Sequence, residues 1–199
     1  MKTENDTAEK VLNILLREPF AMHTATSIAK ALSISRQGIW KTFNKLASNK
    51  MINVESVGNA KTSTAIIRIN WTNPITEKTL VLLLTKESLK QRRWMVNFAE
   101  LENNVDFLIL FGSILHSPKD ANDIDILAVA DKKKFKPIEE ITTKLQQTQL
   151  KKIHCIDATV DEFNHELRRP NKAYRDAIKK GVVLYGQDNF ISCIRDLQK

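Results

Sequence analysis

Glycine is scarce in this chain, with five in 199 residues, and cysteine is scarcer still, with two. No internal repeat or low-complexity tract is present, which excludes solenoid, propeller and fibrous architectures. Cys155 and Cys193 lie far apart without metal-ligand spacing, so zinc-ribbon and disulfide-framework readings fall away. They read as reduced, buried thiols, and a cytoplasmic location is the expectation. Long apolar runs are also missing. The longest, around Leu80 to Leu84 and Phe107 to Phe111, are core-sized and well short of the roughly 18 residues of a membrane span, so no membrane association is expected. What the chain has in excess is positive charge, +8 at pH 7 with a pI near 9.5, which favours a polyanionic partner. With 42% hydrophobic residues it can bury a core unaided.

The N-terminal third reads as helices followed by a hairpin. Val11, Leu12, Ile14 and Leu15 line one side of a first helix that Pro19 ends, and a second fits Thr26 to Leu32 with Ile28, Ala29 and Leu32 inward. After a break at Ser33 and Ile34, Ser35 can cap a third, in which Ile39, Phe43 and Leu46 recur at helical spacing. MINVES and TAIIRIN are strand-like, and VGNAKTS between them holds the turn formers Gly58 and Asn59. From Pro74 to about Leu101 the pattern is again helical, with a polar bend at Glu87 to Arg93.

The stretch IAKALSISRQGIWKTFNKLASNKMINVES, with small Ala29 where two helices cross and Ser35 opening the third, resembles a winged helix-turn-helix domain over about residues 7 to 71. Ser33 stands where that family often has a turn glycine, and Met51 where a glycine often precedes the first wing strand. The resemblance implies that Arg36, Gln37, Lys41 and Asn44 project from a recognition helix into a major groove and that Lys61 lies on the wing near phosphates. It also implies binding as a homodimer. Ten Lys/Arg against five Asp/Glu through Ile75 give this region +5, consistent with nucleic acid as partner. Trp40, three residues from Phe43, reads as core or interface rather than as a base contact.

The scarce glycine is placed with purpose at FGSILHSPKDANDIDILAV, residues 111 to 129. VDFLILF and DIDILAVA are apolar runs of strand length, and a short stretch beginning Gly112-Ser113 joins them. A strand that ends in Gly-Ser and turns into a helix offers backbone N–H groups and a hydroxyl to phosphate oxygens, and a Cβ at Gly112 would hold the phosphate off. Asp123 and Asp125 are two apart, so the strand puts both carboxylates on one face. Paired carboxylates beside a phosphate seat make a divalent-metal site, with Mg2+ (or Mn2+) the expected ion.

Gly112, Ser113, nine residues, then Asp123-Ile124-Asp125 resembles the signature of the DNA polymerase β-like nucleotidyltransferases, most closely the minimal ones, over about residues 104 to 187. A helix at Pro137 to Leu150, a strand at Lys151 to Thr159 and the ending AIKKGVVLYGQDNF agree with it. His116 and Ser117 stand where minimal members often carry arginine and glycine. The expected fold is α+β or α/β: residues 1–73 as a winged helix-turn-helix domain, 74–103 as a helical connector, and 104–199 as a nucleotidyltransferase domain with a small mixed sheet and flanking helices. In the family a third carboxylate helps hold a second metal ion and accepts the attacking hydroxyl's proton. In KKIHCIDATVDEF the candidate is Asp157, but strand parity also permits His154, and 154 and 157 face opposite sides.

Two functions follow from the resemblance. In one, Gly112 and Ser113 hold a nucleoside triphosphate such as ATP, Asp123 and Asp125 bind metal, and Asp157 activates an acceptor hydroxyl of protein or RNA, as in antitoxins of this family that modify a partner toxin. In the other, the chain is a DNA-binding regulator whose second domain senses nucleotide or dimerises without turnover.

Overall fold

A computed structural model describes residues 4–58 and 63–198. They form two compact units divided between Leu83 and Leu84.

In the first unit, α1 (Glu4–Arg17) buries Val11, Leu12, Leu15 and Leu16. Thr24 caps α2 (Ala25–Leu32) in a reciprocal box with Ser27, and Ser35 caps α3 (Arg36–Ser48) by accepting the Gly38 N–H at 3.1 Å. Both helices end in a Schellman pair with a non-glycine residue in the left-handed region. At α2 the Ile34 N–H reaches the Ala29 carbonyl across Ser33 (φ 53°), and at α3 the Met51 N–H reaches the Leu46 carbonyl across Lys50 (φ 56°). The left-handed residue before the wing is therefore Lys50, one position ahead of Met51. Strands β1 (Ile52–Val57) and β2 (Thr64–Ile69) pair antiparallel, Ile52 opposite Ile69. Helices, turn and hairpin together are the winged helix-turn-helix arrangement. Asn59 and Lys61 lie outside the described residues.

The division falls inside α4 (Pro74–Lys90), and α5 (Arg92–Asn97) follows the bend at Gln91. Within residues 74–103, Trp94, Phe98 and Leu101 belong to the core of the second unit. That core is built on a four-stranded sheet in the order β5-β4-β3-β6, from β3 (Phe107–Phe111), β4 (Asp123–Val129), β5 (Lys152–Ala158) and β6 (Val182–Tyr185). β3 runs antiparallel to β4 and β6, whereas β4 and β5 are parallel, which requires the crossover that α6 (Phe135–Gln146) supplies.

Period-2 geometry sorts the side chains. Leu108, Leu110, Ile124 and Ile126 face Trp94, Phe98 and Ile138 on one side. On the other, Phe107 meets Phe163 of α7 (Val160–Arg168) and Phe190 of α9 (Gln187–Leu197) edge to face, with ring centroids 5.1 and 5.4 Å apart. Helix α8 (Lys172–Lys180) joins them there and leads through Gly181 into β6. Phe107 lies at the start of β3, so these aromatic contacts cover that end of the face. No helix among the described residues is long and apolar enough to cross a membrane.

Candidate functional site

Asp123 and Asp125 share one face of β4, on the side of the sheet that carries Phe107 and Phe111. Asp125 pairs with Phe111, the last residue of β3, so the chain leaving β3 turns away directly beside its carboxylate. The turning residue is Gly112, at φ 82° and ψ −167°, a region that is essentially glycine's alone. A Cβ there would run into Oδ2 of Asp125 and sit 3.1 Å from its Cγ. Glycine is needed at this point because the carboxylate already fills the space.

The parallel register of β5 then decides the third position. Asp125 pairs with His154, which puts the imidazole on the carboxylate face. Its Nδ1 lies 3.3 Å from Oδ2 of Asp123 and 3.6 Å from Oδ1 of Asp125. One ligand atom from each of the three residues falls within a 4.8 Å cluster, a size that a single cation can span. The side chains are 33% (Asp123), 26% (Asp125) and 45% (His154) exposed, so the cluster opens to solvent. Partial burial, and then the charge of Asp123, raise the carboxyl of Asp125 above its ordinary range, while His154 pulls it the other way. Two carboxylates pressed together and partly desolvated are a set that a divalent ion would relieve.

Asp157 does not join this cluster. It pairs with Ala128, three residues beyond His154 and therefore on the opposite face, where with Cys155, Lys136 and Thr142 it lines a cavity of about 430 Å³ against α6. The placement of Asp157 as the third carboxylate is corrected on that geometry. Burial, with Asp157 nearby, pushes the Cys155 thiol up to about 11, and burial, with Asp196 nearby, pushes Cys193 up to about 12.

Ser113 is exposed and starts a three-residue 3-10 turn, Ser113–Leu115, where a helix N-terminus is expected from the sequence. Its carbonyl takes the N–H groups of His116 (3.0 Å) and Ser117 (2.8 Å), after which Pro118 has no N–H to extend a helix. The loop that follows is tied down by Lys151, whose ammonium donates to the carbonyls of Ala121 and of Lys119 (3.3 Å). Neither period nor motif marks this lysine in the sequence.

On the first unit, Arg36, Gln37, Lys41 and Asn44 are all exposed on α3, opposite buried Ile39, Thr42, Phe43 and Leu46. Trp40 packs edge-on against Phe43 at 5.6 Å. Arg68 on β2 is paired with Glu55 at 3.7 Å.

Comparison with known families matches both units. Residues 95–190 fit the family described as Polymerase beta, Nucleotidyltransferase, and residues 7–60 fit the family described as HTH domain. No curated protein and no solved structure is a significant match to the chain.

Proposed function

We infer, from a chain that joins an HTH domain to a nucleotidyltransferase domain of the polymerase beta family, that it moves a nucleoside monophosphate from a nucleoside triphosphate to a hydroxyl acceptor while its winged helix engages nucleic acid. The observation that carries this reading is the convergence of Gly112, Asp123 and Asp125 at the end of β3, where two carboxylates open to solvent beside a turn without a side chain. Asp123 and Asp125 would hold a divalent ion, Mg2+ or Mn2+, which when bound supplies charge neutralisation at the phosphates. Gly112 makes room for the Asp125 carboxylate at the turn, and the exposed Ser113 hydroxyl can donate to the phosphates. The acceptor oxygen forms a bond to the α-phosphorus, the bond to the oxygen bridging α and β phosphates breaks, and pyrophosphate leaves. The acceptor's proton passes to solvent, since among the described residues no third carboxylate stands beside the pair. The acceptor is a protein or RNA hydroxyl, and the cytoplasm is the compartment that fits.

One observation favours a second reading. His154 stands where a third carboxylate would complete a two-metal site, and a domain so altered can bind nucleotide and report it to a DNA-binding partner domain without turnover. Labelled nucleoside triphosphates incubated with the chain, divalent metal and cell extract separate the two. Transfer of label by the wild type and not by the Asp123→Ala, Asp125→Ala double variant supports the enzyme. Nucleotide binding without transfer, together with salt-dependent DNA binding, supports the sensor.

A further inference from the structure

We infer that Asp123, Asp125 and His154 form a mixed nitrogen and oxygen site that takes a single first-row transition-metal ion in preference to Mg2+, with His154 as a direct ligand. The inference rests on the reading of this face as a metal and nucleotide site and specifies its ion. Three observations carry it. The register of β4 with β5 sets His154 beside Asp125 in the sheet, so the ring is held by backbone pairing and not by a flexible loop. Its Nδ1 is within 3.6 Å of an oxygen of each carboxylate, and all three ligand atoms fit inside 4.8 Å. Gly112, whose missing Cβ leaves room for the Asp125 carboxylate, keeps that carboxylate from being pushed out of the cluster.

The chemistry of the donors then selects the ion. Mg2+ demands near-octahedral oxygen ligation and gives up water reluctantly, whereas imidazole is a ligand suited to later first-row metals. Charge points the same way. Two carboxylates and a neutral ring carry −2, which one divalent ion balances, whereas three carboxylates would carry −3 and accommodate two ions bridged between them.

The competing role for His154 is that of a resident cation, its ring filling the seat and excluding metal. The two roles differ in sign. A ligand strengthens metal binding, so its removal weakens it; an occupant blocks the seat, so its removal tightens it.

The test uses the full chain, freed of metal with a chelator, with Mn2+ as probe. Mn2+ binding is followed by electron paramagnetic resonance, Mg2+ by competition, and the ligand by pulsed measurement of coupling between Mn2+ and imidazole 14N. The expected result is 14N coupling in the wild type and Mn2+ bound more tightly than Mg2+. His154→Ala should lose the coupling and most of that preference, with Mg2+ affinity unchanged. His154→Asp should lose the coupling and gain Mg2+ affinity, and Asp123→Ala, Asp125→Ala should bind neither ion. Because His154 is nearly half exposed, its variants should fold, and circular dichroism checks this. Absence of 14N coupling in the wild type, or Mn2+ bound as tightly or more tightly by His154→Ala, overturns the inference. Label transfer supported by Mg2+ alone without 14N coupling would sink this inference and leave the proposed function standing. Imidazole-coupled Mn2+ with no nucleotide bound and no label transferred would do the reverse.

Discussion

Gly112→Ala tests the candidate site at the point where backbone and chemistry meet. Two costs act together. The backbone at φ 82° and ψ −167° lies in a region that L side chains rarely adopt, a strain of about 1–3 kcal/mol. The new methyl would also sit 3.1 Å from Cγ of Asp125 and inside contact distance of Oδ2, so the carboxylate must move by roughly 1 Å to reach an ordinary separation. Asp125 cannot yield through its backbone, because it is paired to Phe111 on one side and His154 on the other. The side chain therefore swings, and a ligand displaced by more than about 0.5 Å no longer fits a metal geometry. A loss near 2 kcal/mol would lower the melting midpoint by roughly 8 °C, measured by circular dichroism, and Mn2+ binding should fall at least about tenfold. Gly186→Ala is the control. Its φ of 73° and collisions with backbone atoms of Asp106 and Phe107 make it at least as strained, but it sits at the opposite end of β3 from the carboxylates. It should lose at least as much stability and leave metal binding intact. A Gly112→Ala variant that binds Mn2+ like the wild type would refute the claim that this glycine makes room for the ligand.

Asp125→Asn should alter how stability depends on pH in metal-free buffer. Burial and Asp123 raise the folded-state pKa above the ordinary 3.8, so the folded chain holds a proton that the unfolded chain has released, and stability falls as pH rises through that window. The variant lacks this loss, so it should be the more stable protein above the window, with the advantage closing below pH 3.8; parallel curves in urea unfolding would contradict the argument. Ser35→Ala removes the cap on α3 and should cost about 1 kcal/mol in chemical denaturation, and a change within about 0.2 kcal/mol would show that the Gly38 N–H finds another partner. Replacing Arg36 and Lys41 together by Ala should weaken DNA binding and flatten its salt dependence by roughly one to two units of slope; an unchanged slope would take α3 off the DNA. Gln146→Ala should leave the Ile153 N–H unpartnered at the start of β5, and hydrogen exchange should speed there and at Lys152 to Cys155; protection equal to the wild type would show that the clasp is dispensable.

The last of these bears on what could and could not be read from the residues alone. VDFLILF and DIDILAVA are legible as strands because fully buried strands are apolar along nearly their whole length, and in the second run Asp123 and Asp125 are the two polar interruptions at matching parity. The helix expected after Ser113 failed because Pro118, five residues on, outweighs the pattern of Gly-Ser turns in general. The third site residue was beyond sequence reasoning for a different cause. Parity says only that His154 and Asp157 face opposite ways; which of them faces Asp125 depends on how β5 is registered against β4, and a slip of one residue would exchange the faces. Within β5, Ile153 is buried in the core on the face opposite His154. The register is held at the turn before β5, where the Gln146 side chain accepts the Ile153 N–H at 2.8 Å and donates to the carbonyls of Lys151 (3.1 Å) and Gln149 (3.3 Å). Lys151 in turn reaches across to the loop that precedes Asp123. Two long polar side chains outside the site thus clasp the start of β5 in the register that sets an imidazole beside the carboxylates.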